Sequence, residues 1–123
     1  MKDSGQKRQF STGSQRDFAG NKEAMELLPY DLMMRVANWY KLGADKYGVN
    51  NWRLGQPSTA VFGSLMRHLT KYVMGYKDED HLAAVVWNAL CLMNNDTYHA
   101  GNEEVCDLDN GIVTGKQIGR AHV

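Results

Sequence analysis

No apolar stretch in this 123-residue chain reaches the ~18 residues that crossing a bilayer takes. Met1 to Arg8 is polar and of mixed charge, without the apolar centre of a secretory leader. Neither a membrane anchor nor export is expected, and the cytoplasm is the expected location. An excess of one charge is lacking too, since 14 Lys and Arg balance 14 Asp and Glu. Without a global field to draw it to a polyanion, neither nucleic acid nor a membrane is an expected partner. Cysteine is scarce: Cys91 lies in an apolar run and Cys106 in a polar one, with no CxxC spacing. Both are expected to stay reduced, without disulfide or cysteine-bound zinc. Several motifs are also missing: GxxxxGK[ST], GxGxxG, HExxH, GxSxG and the His-Asp dipeptide of metal phosphohydrolases, of which only the reverse, Asp80-His81, occurs.

What is present is helical periodicity on the scale of one modest domain. Leu28, Leu32, Val36 and Tyr40 form one stripe, Val61, Phe62, Leu65, Leu69, Tyr72 and Val73 a second, and the run from Leu82 to Trp87 carries a third helix. The spacing predicts helices over about 30–46, 58–74 and 79–94, with Pro29 in a first turn, Ser58 as a cap and Gly75 as a stop. The fold class is therefore all-α, a small three-helix bundle whose thin core gains by pairing with copies of itself, as a dimer or tetramer. Residues 1–9 are expected to be mobile within an extended N-terminal arm. The domain itself spans 10–95, and 96–116 forms a polar tail. Residues 117–123, ending IGRAHV, resemble translated read-through of a sequencing adapter and are set aside.

The third helix opens on Asp78, Glu79, Asp80 and His81. At about 100° per residue, His81 and Asn88 point the same way. Two readings stay open: core polar groups with satisfied hydrogen bonds, or the mouth of a pocket that holds a cation or a proton. His68, on the buried edge of the second stripe, lies one short connection upstream. The arm carries Arg16 and Lys22, either solvated or delivered to an anion such as a triphosphate. Arg35, Asn38 and Lys41 read as a solvated face of the first helix. In the loop YGVNNWRLGQP, Trp52 either caps the core or stacks on a planar ligand beside Asn51.

Taken together, FSTGSQRDFAGNKEAMELLP, GADKYGVNNWRLG, RHLTKYVMG and DEDHLAAVVWNAL resemble a phage and bacterial domain family named for dATP/dGTP diphosphohydrolase. The resemblance covers about Phe10 to Asn94. It implies kinship with the all-α MazG-like nucleotide pyrophosphohydrolases, and cleavage of dATP or dGTP to monophosphate and pyrophosphate with Mg²⁺ or Mn²⁺, in the host cytoplasm if the gene is a phage's. The MazG-like ExxE and ExxD pair is not recovered, because Glu23/Glu26 and Glu104/Asp107 have two helices between them. Arg16, Asp17 and Lys22 match family positions. Ala24, Asn21 and Glu26 depart from it, standing where the family has Arg, Gly and Asp. On the resemblance, Asp78, Glu79, Asp80 and Glu26 are the metal candidates, and His68 and His81 the catalytic ones. Arg16, Lys22, Lys46 and Arg67 are phosphate candidates, Asn51 and Trp52 would hold the base, and Asn88 is a structural polar group. The alternative is a non-catalytic helical module that binds a nucleotide or a protein.

Overall fold

Three helices carry the fold: α1 (Tyr30–Tyr47), α2 (Ser58–Val73) and α3 (His81–Tyr98). The computed structural model describes residues 5–18, 20 and 22–108. Met1 to Ser4, Ala19, Asn21 and everything from Asp109 on, including the adapter-like 117–123, lie outside the described residues. The expected small helical bundle is what forms. Its N-terminal arm also carries regular structure. Strands β1 (Lys7–Gln9) and β2 (Gln15–Asp17) pair antiparallel with Arg8 opposite Arg16. Phe10 N–H donating to Ser14 and Gly13 N–H donating to Phe10 close a short hairpin loop between them.

The α2–α3 hairpin is the body of the molecule. Gly75, at φ +86°, supplies the left-handed residue that ends α2. Its N–H donates to the Tyr72 carbonyl and that of Tyr76 to Lys71, the paired bonds of a Schellman stop, and α3 begins five residues on. α3 starts later than periodicity suggests. Asp80 is its N-cap rather than part of its first turn, accepting from Ala83 N–H at 3.2 Å. α1 lies along α3, where Tyr40 meets Trp87 edge-on at 6.5 Å and Trp52 at 5.4 Å.

The core is small. Among the described residues only Val61, Ala83, Ala84 and Cys91 are fully buried apolar side chains, and no residue of α1 is buried. Burial pushes the Cys91 thiol up to about 12. The remaining buried side chains are polar: Ser58, His81, Asn88, Asn94 and Asn95. Their partners explain them. The loop ahead of α2 hides backbone carbonyls that need donors. Asn94 Nδ2 supplies one to Arg53 at 3.3 Å, and Asn95 Nδ2 to Gln56 at 2.7 Å. Asn88 Nδ2 bonds the Ala84 carbonyl of its own helix at 2.8 Å. These asparagines let α3 continue to Tyr98, beyond Asn94 where the apolar period fades.

Ser58 does not cap α2. It lies inside the helix, its hydroxyl accepting from Asn95 at 3.0 Å, and Pro57 at the cap position has no side-chain acceptor to offer. The cap arrives from 48 residues downstream: Asp107 accepts from Thr59 N–H at 2.8 Å and from the Thr59 hydroxyl at 2.6 Å. Val105 takes the Ser58 N–H at 2.7 Å. A helix start without a local acceptor leaves its first amides to be satisfied by whatever segment packs there. Replacing this one carboxylate should thus weaken the whole fold. Asp107→Ala is expected to cost about 1–2 kcal/mol, a drop of roughly 5 °C in Tm, whereas the exposed Asp96→Ala should shift it little. Thermal melts followed by circular dichroism of the two variants check this.

Candidate functional site

The short connection into α3 concentrates titratable groups. His81 is 2% exposed, with its ring pinned from two sides. Nε2 lies 2.8 Å from Asp78 Oδ1. An ionised carboxylate only accepts, so this nitrogen carries the proton. The same bond holds the Asp78 carboxyl below its usual range. On the other side His81 Nδ1 faces His68 Nδ1 at 2.9 Å, and Glu79 Oε2 stands 4.0 Å from it. One ligand atom each from His68, Glu79 and His81 fits within 4.8 Å, a spacing at which a divalent cation can be held. Trp39 fixes His68 through an edge-on contact at 5.6 Å. Burial lowers the His68 pKa, outweighing the opposite pull of Glu79, so its imidazole is neutral at pH 7 with a lone pair to give.

Asp80 serves another purpose. Arg35 Nε reaches its Oδ2 at 3.0 Å and Nη2 its Oδ1 at 2.6 Å, a two-bond fork that ties α1 to the start of α3. Arg35, expected on a solvated face, is thus part of the site's frame. The guanidinium is the leading cause of the lowered Asp80 pKa. Nothing in periodicity marks Arg35. The available signal is an arginine one turn before Trp39 and an acid, Asp80, three residues before Ala83.

Two cavities flank α1. One of about 480 Å³ is lined by Arg35, Trp39, Lys46, His68, Asp78, Glu79, Asp80 and Trp87. The other, of about 310 Å³, is bounded by Tyr40, Tyr47, Asn51, Trp52 and Trp87. Gly43, Tyr47 and Trp87 border both. Asn51 and Trp52 are presented by a 3₁₀ turn, Asn51–Leu54, entered through Asn50 at φ +62°, a left-handed conformation asparagine tolerates. It leaves through Gly55 at φ +89°, where a Cβ would lie 3.1 Å from the His99 ring. Arg53 covers one face of the Trp52 ring at 4.5 Å.

The structure therefore gathers His68, His81, Asp78 and Glu79 at one point, with Lys46 on the cavity that His68, Asp78 and Glu79 line and Asn51 and Trp52 on its neighbour. The other candidates lie elsewhere. Glu26 is exposed on a 3₁₀ turn, Met25–Leu27, ahead of α1. Arg16 is on β2, and Lys22 pairs with Asp17 at 3.7 Å. Arg67 is exposed on α2 with a guanidinium nitrogen near Gly63. None of these four lines either cavity.

Asp80 joins two functions, and substitutions separate them. Asp80→Asn keeps an oxygen for Ala83 but loses the charge facing Arg35, and should cost under about 1 kcal/mol because the arginine is half exposed and screened. Asp80→Ala loses the cap as well and should cost about 1–2 kcal/mol. The depressed carboxyl contributes stability that is present above the unfolded value near 4 and lost as pH falls through the lower folded value. Acid titration of Arg35→Met, followed by fluorescence, should therefore show a shallower loss of stability below about pH 4 than the parent chain.

No curated protein and no solved structure matches the chain. A family model does: that of dATP/dGTP diphosphohydrolase, N-terminal, over residues 12–104. The matched stretch contains β2, all three helices and every residue of the histidine–carboxylate cluster, so the chain belongs to the dATP/dGTP diphosphohydrolase N-terminal domain family.

Proposed function

We propose that the protein hydrolyses purine deoxynucleoside triphosphates, dATP or dGTP, to the monophosphate and pyrophosphate, with Mg²⁺ or Mn²⁺ as the divalent ion the family resemblance implies. The observation that carries the reading is the cluster of buried His81 with His68, Asp78 and Glu79, the last three lining a cavity that Lys46 also lines. The cavity volumes suit a nucleotide-sized ligand.

In the proposed reaction water adds to the α-phosphorus, the bond to the bridging oxygen breaks, pyrophosphate leaves and the water's proton passes to a base. A divalent ion at the cluster supplies neutralisation of phosphate charge and a more acidic water. The protein's own residues do the remainder. Lys46, on the cavity wall, attracts the phosphates. His81, oriented by Asp78, and neutral His68 are the groups on which activation of the water rests. Asn51 and Trp52 hold the base in the smaller cavity, where Tyr40 and Trp87 complete an aromatic wall. Asp80 is left out of the metal set because Arg35 and Ala83 occupy its oxygens. Arg16 and Lys22 line neither cavity and are left out of the phosphate set.

The active form is proposed to be a homodimer or a tetramer built from it. On α2, Phe62, Met66, Leu69 and Val73 follow one helical stripe, and on α3 Leu82, Val86, Ala89 and Met93 follow another. Helical geometry places both on the side of the hairpin away from α1. Met66, Val73, Val86 and Met93 are 41–76% exposed, and no charged side chain interrupts either stripe. A second hairpin laid on this face would complete a four-helix core that one chain lacks.

Pyrophosphate release, measured across a panel of deoxynucleoside triphosphates, should be highest for dATP or dGTP. His68→Ala and His81→Ala should each lower it about 100-fold or more, and Lys46→Ala about 10- to 100-fold in kcat/KM. A parent chain no faster than the double histidine variant on every triphosphate would refute the reading. For the assembly, light scattering should report a dimer or larger for the parent and a monomer for Val86→Glu/Met93→Glu.

A further inference from the structure

Ion identity follows from which groups are left to bind one. Of the three acids before α3, Asp80 is committed to Arg35 and the helix cap, and Asp78 to His81 Nε2. The donors that converge are two imidazole nitrogens and one carboxylate, from His68, His81 and Glu79, with the two Nδ1 atoms in contact and Glu79 4.0 Å from His81 Nδ1. With Asp78 bonded at Nε2, His81 leaves Nδ1 as the ring nitrogen that can bind an ion. That Nδ1 lies only 2.9 Å from the Nδ1 of a second histidine. Two nitrogens at that separation share either one proton or one cation. Donors about 2.1 Å from an ion and at right angles to each other are about 3.0 Å apart, so an ion takes the proton's place beside the line between the two nitrogens once the rings turn toward it.

We propose that this cluster is a binding site for a first-row transition ion, Mn²⁺, Fe²⁺, Co²⁺ or Zn²⁺, held by His68, His81 and Glu79 and oriented by Asp78, and that it selects such an ion over Mg²⁺. Mg²⁺ asks for near-octahedral oxygen donors and parts reluctantly with its water, whereas imidazole favours the later and softer ions. A carboxylate bonded to a ligating histidine, as Asp78 is to buried His81, is the device that sets ring orientation and raises donor strength at such centres. Glu79, its side chain 47% exposed, has the freedom to swing onto an ion, and it lines the 480 Å³ cavity together with His68. The assignment deepens the proposed hydrolase by naming its ion, but the binding itself does not require that reaction.

The test uses the full chain, stripped with a chelator and dialysed against equimolar Mg²⁺, Mn²⁺, Fe²⁺, Co²⁺ and Zn²⁺ under anaerobic conditions, with retained metal counted by mass spectrometry. About one transition ion per chain and no Mg²⁺ is the expected result. Co²⁺ titration should raise visible d–d absorption, with affinity lowered about 100-fold or more by His68→Ala and 10- to 100-fold by Asp78→Asn, and unchanged by Glu26→Ala. His68 is only part-buried, so its variant should fold even if His81→Ala does not; circular dichroism verifies this. Retention of Mg²⁺ alone, no retained metal, or Co²⁺ affinity indifferent to His68→Ala overturns the assignment. Ion binding without triphosphate turnover would sink the hydrolase and leave the site standing; turnover with Mg²⁺ alone and no bound transition ion would do the reverse.

Discussion

Much of the arrangement hangs on the carboxylate of Asp80. It closes the first turn of α3 through Ala83 and, with the same oxygens, holds Arg35 of α1. The pair is partly exposed, and its stability contribution is modest. Its importance is geometric. Because Asp80 faces α1, the two residues before it are directed to the cavity and the one after it turns inward, so Asp78, Glu79 and His81 end on one cluster. Trp39, one turn along α1 from Arg35, then bears on His68. A single fork thus sets both the helix crossing and the histidine pair.

Polar side chains make up much of the buried set, an unusual balance for so small a domain. Each has a partner, and among the described residues no buried side-chain nitrogen or oxygen is left without one. Directional bonds from Asn94 and Asn95 therefore position the loop that presents Asn51 and Trp52, where a larger protein would rely on bulk apolar packing. Such a frame is specific, while a core of one valine, two alanines and a cysteine adds little burial energy.

The helices were legible because 3.6-residue periodicity reports burial directly, and α1 and α2 fall within a residue or so of where the stripes place them. α3 was displaced at both ends for chemical reasons. At its start, an aspartate that can sit in the first turn can equally cap it. At its finish, buried asparagines look like solvated ones until their loop partners are known. The proximity of His68 to His81 could be suspected from the short connection between their helices. The roles of Arg35 and Asp107 could not, since each acts 45 or more residues away on a group that local pattern does not reveal. The resemblance pointed to the three acids before α3, and only geometry separated Asp80, tied to Arg35, from its two neighbours.

The buried thiol of Cys91 has a bearing on motion. With its pKa pushed up to about 12 and 3% of its surface exposed, it is almost wholly unreactive while the helices are closed. Alkylation must wait for α3 to be uncovered. Cys91 is therefore a built-in clock: the rate at which an exchange-limited thiol reagent consumes it counts the openings of the core, and slowing of that rate by a nucleotide would register occupancy of cavities the reagent never enters.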